Sequence, residues 1–138
     1  WASGAPRRTF MSETRRGRLA VIDDSEIVLE SIDEGLTRLG WSVRTFSNRH
    51  GVTVDIIEWQ PDVVLVDVNM PLLTGESVMK ILSSRLGDSL LLLHSSLPVS
   101  ELRPLVRKAE ADGFVAKGSD IAALDRQILS LKAAKSAA

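Results

Sequence analysis

From residue 19 onward, short apolar runs alternate with segments of helical periodicity, and this alternation constrains the fold more than any other feature. Runs such as residues 63–66 are apolar at every position, which is typical of strands buried on both faces of a parallel sheet. The segments between the runs repeat apolar residues every three or four positions, as helices do when one face packs on a core. The pattern predicts an α/β fold built from consecutive βα units.

The predicted strands and helices follow one another in strict alternation, without an internal repeat. The strands cover residues 19–22, 41–46, 63–66, 90–93 and 114–116. Four helices are predicted from their caps and stops: Ser25 to Gly40, residues 52–59, Thr74 to near Gly87, and Ser119 to near Ala133. With a further helix between the last two strands, the pattern predicts one domain.

That further helix contains a conflict. Ser100 and Glu101 are typical of a helix start, but Pro104 has no amide hydrogen to donate to the preceding turn. We therefore expect either that Pro104 is the first helical residue or that this helix is short and mobile at its N-terminal end.

The composition indicates a soluble domain without thiol chemistry. A chain of 138 residues is long enough for one domain with a real core. It contains no cysteine, which excludes disulfides, Cys-ligated zinc or iron–sulfur sites and a thiol nucleophile. Its aliphatic runs are far shorter than the ~20 apolar residues of a membrane span, and no apolar segment typical of a secretory signal is visible. These features predict a cytoplasmic protein without a membrane span.

The net charge of −1 conceals an uneven distribution. Residues 1–18 carry a charge of +4 and residues 19–138 a charge of −5. We expect residues 1–18 to be a basic tail and residues 1–10, which precede Met11, to be a cloning or tag remnant; a nucleic-acid-binding arm is the alternative. Deleting residues 1–17 should then leave the fold intact. The acidic remainder argues against direct binding of nucleic acid.

Acidic residues follow two of the predicted strands. Asp23 and Asp24 follow the first strand, and Asp67 follows the third. In an open parallel sheet, ligands bind outside the carboxyl ends of the strands, where the strand order reverses. If the order is 2-1-3-4-5, the first and third strands are neighbours and the three carboxylates converge. Converging carboxylates repel one another unless a cation lies among them, and oxygen ligands favour Mg²⁺; capping of helices is the alternative role.

A hydroxyl group and an ammonium group follow the last two predicted strands. Ser95 follows His94 after the fourth strand, and Lys117 follows the fifth. A carboxylate nucleophile, a metal, a hydroxyl donor and a lysine are the groups needed to hold a phosphoryl group during its transfer. When each residue is considered separately, the alternative role of Ser95 is to cap a helix, and the alternative for Lys117 is an ordinary surface lysine. His94 and His50 lack metal-ligand spacing, and we expect them at the core edge or the surface.

With these groups in this order, the sequence resembles the receiver domains of response regulators in two-component phosphorelay systems, chemotaxis regulators among them. The resemblance covers residues 19–133. It depends on four matches: Asp23-Asp24, Asp-Val-Asn-Met-Pro-Leu-Leu-Thr-Gly at residues 67–75, Ser95-Ser96, and Gly-Phe-Val-Ala-Lys at residues 113–117. The implied fold is a flavodoxin-like three-layer sandwich, a doubly wound sheet of five parallel strands in the order 2-1-3-4-5 with five helices.

The resemblance implies a role in phosphoryl transfer for four residues. Asp67 is the implied phosphoacceptor, and Lys117 pairs with Asp67 beforehand and then contacts the phosphoryl group. Ser95 is implied to donate a hydrogen bond to the phosphoryl oxygen and to move toward it. Phe114 is the implied switch residue, which turns inward once Ser95 has moved.

Mg²⁺ is the cofactor that the resemblance implies. Its implied ligands are the side chains of Asp24 and Asp67 and the backbone carbonyl of Asn69, with Asp23 acting through water. One departure from the family pattern is Gly118, which replaces the proline that usually follows the lysine. This replacement puts the usual cis peptide bond in doubt, although glycine tolerates the dihedral angles of a turn.

The implied function is signalling, and the implied catalysis is limited to the domain's own phosphorylation and dephosphorylation. The phosphoryl donor would be a histidine kinase, a phosphotransfer protein or a small acyl phosphate. Phosphorylation would switch a surface that contacts a downstream protein or an output domain. A homodimer through the fourth helix, fifth strand and fifth helix is a further expectation.

Other protein classes share parts of this pattern. Haloacid-dehalogenase-like phosphatases also use an Asp nucleophile after a strand, but they carry a second Asp two residues later, where this chain has Asn69. A pseudo-receiver that binds partners without phosphorylation usually lacks part of the residue set found here. A flavodoxin-like flavin carrier needs a phosphate-binding loop rich in Gly, Ser and Thr after its first strand, and that loop is missing.

Overall fold

The computed structural model describes residues 16–70 and 74–138, in which five strands alternate with five helices. The strands are β1 (Gly17–Ile22), β2 (Trp41–Phe46), β3 (Val63–Asp67), β4 (Leu90–Ser95) and β5 (Gly113–Ala116). The helices are α1 (Glu26–Arg38), α2 (Val52–Trp59), α3 (Gly75–Arg85), α4 (Val99–Ala109) and α5 (Ile121–Ala137). The predicted alternation is confirmed. The predictions for residues 1–15, and the part of the 67–75 motif at residues 71–73, lie outside the described residues.

The sheet is parallel throughout and has the strand order β2-β1-β3-β4-β5, as predicted. β1 and β3 are therefore neighbours, with Val21 opposite Leu65, and the winding direction reverses between them. On the other side of β3, Asp67 lies opposite His94 of β4. Because parallel strands all end at one edge, the residues that follow β1, β3, β4 and β5 share the carboxyl edge of the sheet.

Strand side chains alternate across the sheet and build a core on each face. α1 and α5 cover one face, where they bury Leu36 and Ile128. α2, α3 and α4 cover the other face with Ile56, Leu82 and Ala109. The result is the predicted three-layer sandwich.

The start of α5 differs from the prediction. Asp120, not Ser119, is the N-cap residue, and its side chain accepts a hydrogen bond from the Ala123 amide at 2.7 Å. A carboxylate interacts more favourably than a hydroxyl with the partial positive charge of a helix N-terminus. The Ser119 hydroxyl is directed instead to the carbonyl of Ala116, 3.4 Å away.

The end of α5 also differs, because the helix continues to Ala137 instead of ending near Ala133. Alanine has the highest helix propensity of all residues. The last turn is also held by Lys135, whose Nζ lies 2.8 Å from Asp112 Oδ2 and 2.6 Å from the carbonyl oxygen of Ser89. Within the described ranges, no helix is long and apolar enough to cross a membrane.

The expectation that Pro104 is the first residue of α4 is wrong, because the helix begins at Val99 and contains Pro104 in its interior. Pro104 leaves the carbonyl group of Ser100 without its usual amide partner one turn later. Ser100 is exposed, so water can take that place. Leu102, which is only 1% exposed, anchors the first turn of the helix in the core.

β1 begins at Gly17, two residues before its predicted start, and Gly17 lies opposite Trp41. Arg16 precedes it and donates its amide hydrogen to the carbonyl of Gly40 at 2.9 Å. Its Nε also lies 3.1 Å from Oδ1 of the buried Asp125, which accepts a hydrogen bond from Trp41 Nε1 at 2.8 Å. A deletion through residue 17 would remove these contacts, so we do not expect the deletion of residues 1–17 to leave the fold intact.

Candidate functional site

Three charged side chains meet at the carboxyl edge of the sheet. Asp23 follows β1, Asp67 ends β3 and Lys117 follows β5. Lys117 Nζ lies 3.0 Å from Asp23 Oδ2 and 3.0 Å from Asp67 Oδ1. One ammonium group is therefore shared by two carboxylates that belong to neighbouring strands.

Asp67 is a buried carboxyl group, with 5% of its surface exposed. Burial raises its pKa above the ordinary value, since the charged form loses hydration, and the negative charge of Asp23 adds to this effect. The hydrogen bond from Lys117 and a weaker one from the Asn69 amide, at 3.4 Å, act in the opposite direction. Asp67 therefore has a cationic partner, Lys117, and few other hydrogen bonds.

Lys117 is held in place by its backbone as well as by its side chain. Its amide donates a hydrogen bond to the carbonyl of Ser95 at 2.9 Å. Burial lowers the pKa of Lys117, but the contacts with Asp23 and Asp67 outweigh this effect and raise the pKa overall. No peptide bond among the described residues is cis, and Gly118 follows Lys117 with a φ of 91°, a conformation that suits glycine.

Of the three carboxylates predicted to converge, Asp23 and Asp67 meet around Lys117. Within residues 16–70 and 74–138, no three His, Cys, Asp or Glu side chains form a group that could hold a metal ion. Asp23 is turned toward Lys117, and its Oδ1 accepts a hydrogen bond from the Ser25 amide at 2.9 Å, while Asp24 is exposed to solvent. The side chains that meet at this edge are therefore two carboxylates and one ammonium group.

The N-terminal end of α3 lies against the end of β3. Thr74 caps α3 by accepting a hydrogen bond from the Ser77 amide at 3.1 Å, as predicted. The Gly75 amide donates a hydrogen bond to the Val68 carbonyl at 3.2 Å. The first turn of α3 is thus placed directly against the backbone of Asp67 and Val68.

Ser95 ends β4 and is buried, with 3% of its surface exposed. Its hydroxyl oxygen accepts a hydrogen bond from the Leu97 amide at 3.0 Å. In the described part of the chain, this hydroxyl makes no hydrogen bond with Asp67 or Lys117. Ser95 therefore lies at the predicted strand end and contacts the site through its backbone carbonyl.

Phe114, the predicted switch residue, lies in β5 opposite Leu93. It is half-buried, and it lines a surface cavity toward α4 and a second one toward α5. Its ring therefore occupies the face formed by α4, β5 and α5, not the carboxyl edge.

His94 lies at the core edge, as expected from the sequence, although its position opposite Asp67 was not predicted. It is 4% exposed and lies between Asp67 of β3 and Val115 of β5. Burial and the nearby charge of Lys117 lower its pKa to about 4, while Asp23 opposes the shift. Its Nδ1 has no hydrogen-bond partner among the described residues, and the ring lines a cavity of about 230 Å³ between α1 and α5. Its position in a buried strand, followed directly by Ser95, is the sequence signal that indicates this location.

The comparison with protein families agrees with this arrangement. A family model described as the response regulator receiver domain matches residues 19–129. The chain belongs to this family. Response regulator receivers are signalling domains of two-component systems; they accept a phosphoryl group, generally bind Mg²⁺ at the phosphorylation site, and interact with histidine kinases and output domains. The predicted family, fold and phosphorelay function are confirmed.

Individual relatives support the same conclusion. The transcriptional regulatory protein PrrA of Mycobacterium leprae (strain TN) is 30% identical over 114 residues, which make up 83% of this chain and 49% of PrrA. The chain thus spans about half the length of the curated relatives that it matches first. The chemotaxis response regulator CheY4 of Vibrio cholerae shares the fold with a TM-score of 0.76 at 21% identity, over 83% of this chain and 97% of that one. The response regulator DrrB of Thermotoga maritima, an OmpR/PhoB homologue, gives a TM-score of 0.68 at 27% identity, over 78% and 48%.

Proposed function

We propose that Asp67 is the residue that accepts the phosphoryl group in this receiver, with Lys117 as its positively charged partner. The observation that carries the proposal is the position of Lys117 Nζ, 3.0 Å from Asp67 Oδ1 and from Asp23 Oδ2. An ammonium group at this distance orients the nucleophile before the reaction and faces the charge that a transferred phosphoryl group brings.

In the transfer step, a carboxylate oxygen of Asp67 forms a bond to the phosphorus atom of a phosphohistidine. The P–N bond of the donor breaks, and its electron pair stays on the imidazole nitrogen, which then takes up a proton. Lys117 remains protonated throughout, since its pKa lies above the ordinary value. Its ammonium hydrogens are therefore available to a phosphoryl oxygen once Asp67 carries the phosphoryl group.

The donor atoms at this edge fit Mg²⁺, which prefers oxygen ligands and usually retains water. Asp23 Oδ2 is buried and makes no hydrogen bond with a described residue apart from its ion pair with Lys117, which leaves it able to accept one from a metal-bound water. The exposed carboxylate of Asp24, a carboxylate oxygen of Asp67 and the backbone carbonyl of Asn69 would be the direct ligands. When bound, the metal would neutralise charge on the phosphoryl oxygens.

Ser95 and Phe114 would convert phosphorylation into a surface change. Among the described residues, the Ser95 hydroxyl has one hydrogen bond, from the Leu97 amide, so little must be broken for it to turn to a phosphoryl oxygen. Phe114 is half-buried and lacks the hydroxyl of a tyrosine, so an inward turn of its ring gains packing alone.

The proposal also covers the partners of the chain, the extent of its catalysis and its cellular location. The donor would be a histidine kinase or phosphotransfer protein, and the receiver of the signal a downstream protein or output domain. The chain would catalyse only its own phosphorylation and dephosphorylation, in the cytoplasm, without direct contact with nucleic acid.

The proposal is tested by incubating the full chain with acetyl phosphate and Mg²⁺ and measuring its intact mass. The wild-type chain should gain the mass of one phosphoryl group, and Asp67→Asn should gain none. Asp88→Asn is the matched control, because Asp88 is exposed and distant in sequence from the edge residues. Equal uptake by Asp67→Asn would refute the acceptor assignment.

The metal ligands are tested separately by calorimetric titration with Mg²⁺ alone. We expect Asp24→Ala to weaken Mg²⁺ binding at least about tenfold, since one anionic ligand is lost. Asp88→Asn should bind Mg²⁺ like the wild-type chain. Unchanged affinity in Asp24→Ala would contradict the assignment of Asp24 as a ligand, whatever the outcome for Asp67.

A further inference from the structure

A cavity of about 230 Å³ lies between α1 and α5, beside the carboxyl edge of the sheet. The two helices touch farther along α1, where a Cβ atom added to Gly35 would overlap the side chain of Ile121. Before this contact, the first two turns of α1 leave a gap over β4 and β5. We call this gap the His94 cavity. Its members used below are Val28, Ile32, His94, Lys117, Ile121 and Leu124.

The walls of the His94 cavity are mainly aliphatic. Val28 and Ile121 are half-buried, and Ile32 and Leu124 belong to the core under α1 and α5. An engineered apolar cavity of about 150 Å³ in another protein holds a molecule of benzene. A cavity of about 230 Å³ therefore has room for a molecule of one ring or of two fused rings.

The imidazole of His94 adds a polar group to these walls. Leu92, two residues earlier in β4, belongs to the core under α1 and α5, and side chains two residues apart in a strand point to the same face. His94 is 4% exposed, and its Nδ1 has no hydrogen-bond partner among the described residues. Because buried polar groups nearly always have such a partner, an occupant of the cavity could supply the missing one.

Either orientation of the His94 ring fits the same space. A half-turn about the Cβ–Cγ bond exchanges Nδ1 with Cδ2 and Nε2 with Cε1, while the outline of the ring stays the same. Whichever of these four positions faces the cavity, one of the two orientations places a nitrogen atom there. In its neutral form the imidazole carries one nitrogen lone pair, which accepts a hydrogen bond from an N–H or O–H group.

The charges around the cavity favour a neutral occupant. Lys117 lines the cavity, but its ammonium group is already paired with Asp23 and Asp67, at 3.0 Å from each. An anion would therefore compete with two carboxylates for the same ammonium group. A cation would find no acidic residue among the described residues that line the cavity. An unpaired charge among aliphatic side chains costs free energy.

We propose that the His94 cavity binds a small neutral molecule of one or two rings that carries an N–H or O–H group. The rings lie against the aliphatic walls, and the N–H or O–H group donates a hydrogen bond to His94. Phenols and indoles are compounds of this class.

Lys117 connects the cavity with the phosphoacceptor. It lines the cavity and also reaches Asp67, so a bound ring would pack against its methylene groups and restrict its movement. We expect an occupant to slow phosphoryl uptake, because Lys117 must turn from the carboxylate to a phosphoryl oxygen during the transfer. This effect rests on the proposed function, whereas binding to the cavity does not.

The experiment is a calorimetric titration of the full chain with indole and, separately, with indene, a hydrocarbon of the same shape that lacks the N–H group. Indole should bind about tenfold more tightly than indene, which corresponds to the net contribution of one hydrogen bond. His94→Leu should bind the two compounds with equal affinity. Val28→Phe fills part of the cavity and should weaken the binding of both compounds at least about tenfold.

Val54→Phe is the matched control for Val28→Phe, because Val54 is 55% exposed on α2 and does not line the cavity. It should bind both compounds like the wild-type chain, and circular dichroism should show all variants folded. The proposal is overturned if the wild-type chain binds neither compound, if it binds both equally, or if His94→Leu keeps the preference for indole. Unchanged binding in Val28→Phe would also overturn it.

The effect on Lys117 is measured separately, as the rate of phosphoryl uptake from acetyl phosphate and Mg²⁺ with and without saturating indole. Uptake should be slower with indole in the wild-type chain and unaffected by it in Val28→Phe. An equal rate with bound indole would refute the link to Lys117 alone. Indole binding by a wild-type chain that takes up no phosphoryl group would refute the proposed function and leave the ligand of the cavity established.

Discussion

A Cβ atom added to Gly75 would overlap the carbonyl oxygen of Asp67 and lie 2.8 Å from the Cα of Val68. Both neighbours are backbone atoms, so the start of α3 and the proposed acceptor strand can approach this closely only with glycine at position 75. We expect Gly75→Ala to lower the free energy of unfolding by about 2 kcal/mol, as overpacking typically does. It should also slow phosphoryl uptake, because the Asp67 backbone must move. Urea unfolding and time-resolved intact-mass measurements check both effects.

Gly87→Ala is the control for this substitution, since an added Cβ atom there would meet nothing within 4 Å. Its free energy of unfolding should stay within about 0.5 kcal/mol of the wild-type value. If both variants are destabilised equally, the close approach at Gly75 does not explain the loss.

The contact between Arg16 and Asp125 predicts where the N-terminal segment begins to matter for stability. Asp125 is 5% exposed, and Arg16 Nε lies 3.1 Å from its Oδ1. We expect Arg16→Ala to lower the free energy of unfolding by about 1–2 kcal/mol, because a buried carboxylate loses one of its two partners. A deletion of residues 1–14 should leave stability unchanged in urea unfolding. Combining Arg16→Ala with Asp125→Asn should cost less than the two single effects added together; strict additivity would contradict the pairing.

The lowered pKa of His94 predicts that the folded chain loses stability in mild acid. Its pKa falls from 6.5 to about 4 in the folded chain, because the buried imidazolium is poorly solvated and Lys117 repels it. The unfolded chain binds the proton below pH 6.5 and the folded chain only near pH 4, so the folded state loses stability as the pH falls through this range. The cost is about 3 kcal/mol when both forms are protonated. Urea unfolding between pH 7 and pH 4 measures it.

His94→Leu should lose less stability than the wild-type chain over that pH range, since it has no imidazole to protonate. His50→Gln serves as the control, because His50 is exposed, and it should follow the wild-type curve. A His94→Leu curve parallel to the wild-type one would show that other groups cause the acid sensitivity.

The raised pKa of Asp67 predicts the opposite pH dependence of stability. Burial, reinforced by Asp23, raises its pKa above the ordinary value of 3.8, so the ionised carboxylate lowers the stability of the folded chain. The stability associated with this group is present below pH 3.8 and is lost as the pH rises through the higher, folded-state pKa. In metal-free buffer at pH 7, Asp67→Asn should therefore melt at a higher temperature than the wild-type chain. Differential scanning calorimetry should show this difference shrinking toward pH 3.8; a lower melting temperature at pH 7 would contradict the raised pKa.

The strands could be predicted from the sequence because they are buried on both faces. Residues 63–66 and 90–93 are apolar without a break, so their identity does not depend on details of packing. The same logic placed Asp67 and Lys117 at one edge, since the residue after a parallel strand must lie there.

The structural features that could not be predicted from the sequence depend on the direction and the packing of individual side chains. Asp23 and Asp24 are adjacent, yet one is buried against Lys117 and the other is exposed. Pro104 is tolerated inside α4 because Leu102 anchors the first turn, a tertiary contact that no local rule contains. The choice of Asp120 over Ser119 as a cap is likewise decided by where the chain turns after β5.

The register of β4 against β3 and β5 determines which of its polar side chains face each side of the sheet. Its four leucines, residues 90–93, are interchangeable, so they cannot penalise a shift of one residue against β3. Such a shift would exchange the faces of His94 and Ser95 and bring an imidazole to the place of the hydroxyl. A polar contact before the start of the strand opposes this shift, because the buried Ser89 hydroxyl donates a hydrogen bond to the Pro61 carbonyl at 2.7 Å. A serine at the opposite end of β4 thus favours the register in which the Ser95 hydroxyl, and not the His94 imidazole, takes its place at the proposed site.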